Sequence, residues 1–420
     1  MAALLRVRVL REGGRQAELE FQRMTELQTV GRGHAFDGVR AFAMLLGVFL
    51  HGSIPYIQVS FPWAVTDGSR SEVLTLVVYV VHTFRMPAFF LIAGYFARLL
   101  YNRLGTRGFL LHRVRRVLLP LFVGWLVVFP LVRVMWVWGL SSALSGVAFL
   151  PLLRMAFSPQ FATYGFGLLH LWFLYYLLLI YLCALVARWA LFGSSEGGNR
   201  RRAWVDRVFR RTVGTRFGIL VVAIPTAFIL VFMRGWGVDF VDRGFVPSLA
   251  HIIFYGIFFT FGWAMHRNVE CLGELSRRWV WNLGVGLVML IPAMLALLKI
   301  YLIGGPVGLG FRVSYFLVYA IVSWSLVFAL LGAFQRYLCA PSKVWRYLSD
   351  ASYWVYLVHL PIVIAISILL RGWECWWGLK LLVVLTGAMA LLLGSYHVMV
   401  RNTWVGVMLN GRRASSRTHG

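Results

Sequence analysis

Charge is what this sequence has least of. Only 13% of its 420 residues are charged, against roughly 25% in an ordinary soluble domain. Hydrophobic residues make up 60%. A soluble fold of that make-up would have too little polar surface to cover itself, so its outside must be buried in lipid. Acidic residues are scarcest: 15 Asp and Glu stand against 41 Lys and Arg, a net charge of +26. In a soluble protein that excess would suggest nucleic acid. Here the basic residues sit between long apolar runs, so membrane orientation and anionic headgroups explain them better, and no nucleic-acid partner is expected. Cysteine is sparse as well. Cys183, Cys271, Cys339 and Cys375 show no metal-ligand or redox spacing. Only Cys375 falls in a segment expected on the outer side, which argues against a disulfide framework, and no metal is assigned. The first thirty residues lack an apolar h-region with a cleavage site, so they read as a cytoplasmic tail or a start codon set too early, not as a signal peptide. There is no Walker-type phosphate loop, no H-E-x-x-H and no G-x-S-x-G. ATP-driven transport and metalloprotease chemistry therefore lack support.

What the chain does have is long apolar runs. A membrane-crossing helix needs ~20 mostly apolar residues. Ten stretches qualify, at roughly 36–55, 73–97, 117–138, 166–190, 217–234, 248–266, 280–303, 312–334, 351–370 and 378–400. Their apolar character runs right round, without the alternation of a barrel strand. The expected fold is all-α, a polytopic membrane bundle of about ten transmembrane helices. Lys and Arg crowd the segments 1–40, 98–116, 188–216, 266–279, 335–350 and 401–420. The intervening loops hold only Arg70, Arg154, Arg234, Arg243, Arg312 and Arg371. By the positive-inside rule both termini are cytoplasmic. The chain divides into a tail at 1–35, a membrane domain at 36–400 and a tail at 401–420. A re-entrant segment near 139–165 stays open, and residues 193–202 read as a flexible cytoplasmic loop.

Ionisable groups inside a span cost several kcal/mol and are functional candidates by default. On the first span Arg40 and His51 lie eleven residues apart, within ~20° of one helix face and ~16 Å along it. They read either as a lined path with a general base, or as a snorkelling arginine and a histidine satisfied by a neighbour. Asp37 caps the helix or pairs with Arg40. On the second span Arg85 falls near mid-membrane with His82 on its face at i−3, and Pro87 frees a carbonyl. Function is favoured there over an arginine that merely glues helices. Arg113 and Arg116, beside His112, face one way at the start of the third span. They suit phosphates, but before any resemblance is considered plain positive-inside anchoring is the better reading. His170 opens the fourth span among aromatic residues. On the ninth, Ser352, Tyr356 and His359 share one stripe below Ser349 and Asp350, as a site or an interhelical network.

These pieces occur in one order: "FDGVRAFAMLLGVFLH" at 36–51, "VHTFRMPAFFLIAGYFARLL" at 81–100, "HRVRRVLLPLF" at 112–122, "HLWFLYYLLLIYL" at 170–182 and "SDASYWVYLVHLPI" at 349–362. "FYGIFFTFGWAMHRN" at 254–268 is a weaker sixth. In that order they resemble the acyltransferase 3 family of polytopic membrane acyltransferases, over about 36–400, and within it the branch that succinylates periplasmic glucans. The resemblance implies that His51 is the catalytic base, that Arg113 and Arg116 help hold an acyl-CoA cosubstrate, and that Arg85 is the family's mid-helix arginine. It implies succinyl transfer from coenzyme A to periplasmic glucans, in a bacterial inner membrane. Pro87 matches the general family more than that branch.

The expected mechanism follows. Coenzyme A phosphates dock at Arg40, Arg113 and Arg116, and the pantetheine arm reaches into the bundle. His51 takes the proton of a sugar hydroxyl, Arg85 steadies an oxyanion or the succinyl carboxylate, and His359, Tyr356, His170, His82 and Asp37 orient the groups. No permanently bound cofactor is expected. Two rivals stand beside this reading: acylation of another surface polysaccharide, and non-enzymatic transport of a polysaccharide or lipid-linked sugar. The acyl group, the acceptor, direct transfer against an acyl-histidine, and the oligomeric state stay open. The chain ends about twenty residues after the tenth span, so a soluble acceptor is expected to meet the bundle itself.

Overall fold

A computed structural model describes residues 33–59, 62–141, 149–158, 167–193, 195–238, 244–303 and 308–410. The tails at 1–32 and 411–420 lie outside the described residues, as does Arg243. Fourteen helices follow along the described chain. The first is α1, residues 33–53, continued by a 3-10 turn Ile54–Tyr56. Then come α2 (Glu72–Arg113), α3 (Leu119–Ser141), α4 (Phe149–Ala156), α5 (Trp172–Leu191), α6 (Glu196–Gly214) and α7 (Ile219–Val231). The rest are α8 (Leu249–Arg267), α9 (Leu272–Arg277), α10 (Trp279–Ile303), α11 (Leu309–Tyr337), α12 (Lys343–Leu369), α13 (Trp377–Ser395) and α14 (Trp404–Asn410). No strand occurs among the described residues, only one isolated bridge between Ile57 and Ser71.

Eight helical runs are long and apolar enough to cross a membrane, and nine if the bent pair α6–α7 counts as one. One of the eight is Glu72–Ser141, 70 residues long. Straight, it would measure ~105 Å, more than three times the hydrocarbon thickness of ~30 Å. It does not run straight. Gly105 takes φ 65°, ψ −175° inside it, a conformation open to glycine because it has no Cβ. Beyond it the Phe109 ring returns to within 6.1 Å of Tyr101. The run therefore holds two of the expected spans, and the all-α polytopic bundle stands.

The structure departs from the sequence reading in two places near α6. Residues 196–202 begin a helix and are not a flexible loop, because the Ser195 side chain caps it by accepting from Gly198 N at 3.2 Å. The expected span 217–234 is realised only as the 13 residues of α7, bent 109° from α6. Gly218 allows that bend: a Cβ there would lie 2.3 Å from the Thr212 carbonyl oxygen. At the other end Arg312 donates to the carbonyl of Val231, the last residue of the helix, and to that of Met233 just beyond it.

Packing centres on α11, with 72% of its most apolar window buried against 17% for α10 at the periphery. The backbones of α2 and α8 touch. A Cβ at Gly94 would fall 2.0 Å from Phe259 O, and one at Gly262 1.8 Å from Leu91 O. Small residues at such crossings are how membrane helices gain contact when lipid already satisfies their apolar surface. This contact fixes the part of α2 that carries Arg85.

Candidate active site

Arg40, Gly47 and His51 stand at i, i+7 and i+11 on α1, one stripe of a 3.6-residue helix. At its N-terminal end Arg40 donates to the Ser349 carbonyl (3.1 Å) and hydroxyl (2.5 Å) on α12. Ser349 in turn donates to Asp37 at 3.1 Å, and Asp37 lies 3.4 Å from Arg40. Asp37 thus orients Arg40 and ties α1 to α12.

Three histidines meet deeper in the bundle. His359 Nδ1 lies 2.8 Å from the Tyr356 carbonyl and 3.1 Å from that of Val355. Carbonyls only accept, so Nδ1 carries the proton and Nε2 offers a lone pair. That Nε2 is 2.8 Å from His51 Nδ1, which therefore donates. His51 Nε2 is left with the lone pair a base needs, and His359 fixes the tautomer. His170 sits in a 3-10 turn Leu169–Leu171. Its Nε2 donates to Leu357 O at 3.0 Å, and Tyr356 donates its hydroxyl to His170 O at 2.8 Å. Leu169 beside it takes φ 49°, a strained backbone for a branched residue, of the sort that gathers at functional sites. No group of three metal-ligating side chains is placed to hold an ion among the described residues. His359 has both ring nitrogens engaged.

Arg85 on α2 reaches α1 at Gly47, where a Cβ would lie 2.5 Å from its Nη1. Its Nε is buried without a partner. At the Arg40 end, α2 passes into α3 through a π turn Val114–Leu118. Such bulges are frequent at functional sites. Arg113 donates to the Tyr181 hydroxyl at 3.2 Å, with its guanidinium 4.8 Å from that ring's centroid. Arg116 donates to Met408 O on α14 at 2.9 Å and accepts at its own carbonyl from Tyr353 at 2.7 Å.

One cavity of about 400 Å³ joins these pieces. Arg40, His112, Arg113, Arg116 and Asn410 line one end; His51, Arg85, His170, Tyr356 and His359 line the other. Between them the walls are mostly apolar, from Met44, Val48, Ile92, Phe96 and Leu177. Of the expected residues, Asp37 stands behind the wall and His82 is not brought into the cavity. His82 Nε2 reaches Val238 O, 3.5 Å away, an acceptor that the chain leaving α7 sets beside α2.

The sequence reading missed Gly47, Tyr181, Trp63 and Asp67. Gly47 carried the only usable signal, a glycine one turn before His51. Tyr181 was hidden in an apolar run, and Trp63 and Asp67 lie in a segment whose path nothing local encodes. Lys380, a lone cation inside a span by sequence, is buried 2.8 Å from Asp67.

Residues 34–399 match the family model described as an acyltransferase domain. Among curated proteins the chain is similar to glucans biosynthesis protein C of Escherichia coli strains SMS-3-5 and K12, 38% identical over 93 residues. That alignment covers 22% of this chain and 24% of each relative, so the chain matches about a quarter of their length. No solved structure matches. With the family model spanning nearly the whole bundle, this chain belongs to the acyltransferase 3 family of membrane acyltransferases.

Proposed function

We propose that the protein moves an acyl group, succinyl by preference, from cytoplasmic acyl-CoA to hydroxyls of a periplasmic glucan. It does so in a bacterial inner membrane with both termini cytoplasmic. The observation that carries this is the single cavity running from the arginine end to His51. Arg40, Arg113 and Arg116 offer fork-shaped donors to the coenzyme A phosphates. The passage with its mostly apolar walls suits a pantetheine arm, and the ~16 Å between Arg40 and His51 is comparable with its reach.

The acceptor hydroxyl loses its proton to His51 Nε2 as its oxygen attacks the thioester carbon. The developing oxyanion faces Arg85, whose buried Nε has no hydrogen-bond partner. Collapse breaks the carbon–sulfur bond, and the departing thiolate recovers the proton from His51. Atoms balance: an ester and free coenzyme A leave. His359 acts through His51, by holding its tautomer. The names of the E. coli relatives favour a glucan over other surface polysaccharides as acceptor.

The test uses purified protein in lipid nanodiscs with succinyl-CoA and a periplasmic glucan, read by mass spectrometry. Wild type is expected to add about 100 Da per ester, and His51→Ala to fall by about a hundredfold to ten-thousandfold, in line with loss of a general base. Arg113→Ala/Arg116→Ala should raise the acyl-CoA KM tenfold or more. Full transfer by His51→Ala sinks the reading. Ester on another polysaccharide but never on glucan would move the acceptor.

A further inference from the structure

The ring of His51 has a second neighbour that the relay does not use. Trp63 lies nearly parallel to it, with centroids 5.8 Å apart and planes inclined by 13°. His359 takes the Nδ1 edge of His51, and the tryptophan stacks on the ring from another side. A centroid distance of that size fits an offset stack of neutral rings. It also fits a cation held on the face of an indole, for which the reach is ≈6 Å and tryptophan the best partner. In the reaction proposed above, His51 becomes that cation when it takes the acceptor's proton.

Trp63 is held firmly. It belongs to residues 62–71, a strap between α1 and α2 that crosses the end of the bundle away from Arg40. Asp67 N donates to Pro55 O at 3.0 Å, and Ser71 N to Tyr56 O at 2.9 Å. Trp377 N donates to the Ser69 hydroxyl at 3.1 Å. The buried Asp67 carboxylate binds Lys380 through both oxygens, at 3.0 and 2.8 Å. Ala64 and Val65 are buried against α3 and α12. Gly139 lets the strap come that close, since a Cβ there would lie 2.4 Å from Ala64 O. Trp63 itself meets the edge of Trp136 at 5.3 Å and 70°. Three hydrogen bonds, one ion pair and the packing of Ala64 and Val65 hold the strap, and through it the indole, against the imidazole.

We propose that Trp63 is a positioning residue for acyl transfer: it fixes the His51 ring against His359 and presents its π face to the imidazolium that forms during the step. This rests on the reading of His51 as the base. The charge appears only on the way through the transition state, so the contact favours turnover over ground-state binding. Removing it lowers kcat and leaves the donor site alone, because Trp63 does not line the cavity that takes the acyl-CoA.

The experiment compares wild type, Trp63→Phe, Trp63→Leu and His51→Ala in the nanodisc assay with succinyl-CoA and glucan, after thermal unfolding has shown each variant folded. Trp63→Leu keeps an apolar filler under the strap and loses the π face. It is expected to lower kcat by about threefold to thirtyfold, the range a cation–π contact spans from exposed to desolvated sites, with the acyl-CoA KM within twofold of wild type. Trp63→Phe keeps a weaker face and is expected to recover more than half of the loss. Three results overturn the proposal: wild-type kcat in Trp63→Leu, a phenylalanine no better than the leucine, or a KM that rises in step with the fall in kcat. The last two would mean packing alone. An active His51→Ala would remove the base itself, and that failure is distinct from an inactive His51→Ala beside a fully active Trp63→Leu, which removes only the role of Trp63.

Discussion

A methyl group at position 47 would sit 2.5 Å from Arg85 Nη1, too close for any real carbon–nitrogen contact. Arg85 comes from the neighbouring helix into the end of the cavity that holds His51, His170 and His359, and Gly47 is the notch that admits it. Gly47→Ala is therefore expected to push the guanidinium aside while leaving α1 helical, since alanine is the better helix former by about 1 kcal/mol. Stability should hold or rise. Turnover should fall by about two to three orders of magnitude if Arg85 steadies the oxyanion, the usual size of losing one such donor. Steady-state transfer assays beside thermal unfolding measure both; undiminished turnover in a folded Gly47→Ala would separate Arg85 from catalysis. Much of the site was legible at this scale. Arg40, His51, Arg85, Tyr356 and His359 each stand out as polar groups in apolar helices, where burial needs a reason, whereas Arg113 and Arg116 lie in a basic run and stood out only through the family resemblance. What stayed hidden was direction. His82 shares a helix face with Arg85 by spacing, yet its ring goes to Val238 O, and helical periodicity says nothing of where an acceptor from a distant loop will lie.

At the scale of elements, the strap and α13 are joined by a single charge pair in a place that excludes water. The side chains of Lys380 and Asp67 are 4% and 3% exposed. Removing one partner of such a pair leaves the other charge buried and uncompensated, which costs about 3–5 kcal/mol. Lys380→Met should lower stability by that amount, read as detergent-resistant thermal unfolding, whereas Asp67→Leu/Lys380→Met should recover most of the loss. A single variant as stable as wild type would mean that water reaches the pair. The element-level reading of the sequence succeeded where apolar length decides, as for α1, α5, α11, α12 and α13. It fell short at α6 and α7, where the outcome turned on Gly218 admitting a sharp bend and on Ser195 capping a helix through a run of glycine and arginine. Both are tertiary conditions that composition does not reveal. The π turn at Val114–Leu118 is likewise invisible in sequence, although it sets how Arg113 and Arg116 meet the cavity.

For the whole molecule, the proposed chemistry has a direction, because the donor is made on one side of the membrane and the acceptor lies on the other. The arginine end of the cavity must then face the cytoplasm, and the strap must face outward. The free cysteines test this without disturbing the site. Cys375 lies between α12 and α13, on the strap's side of the bundle, close to the Trp377 that binds Ser69. Cys339 lies between α11 and α12, at the other end of α12 and exposed. In intact spheroplasts, a membrane-impermeant maleimide is expected to label Cys375 and spare Cys339, and permeabilisation should add Cys339. Replacing each cysteine in turn by serine assigns the signal. The reverse pattern would put the arginines outside. Acyl-CoA would then have no route to them from the cytoplasm, and the positive-inside argument would have failed for a chain whose basic loops make it unusually strong.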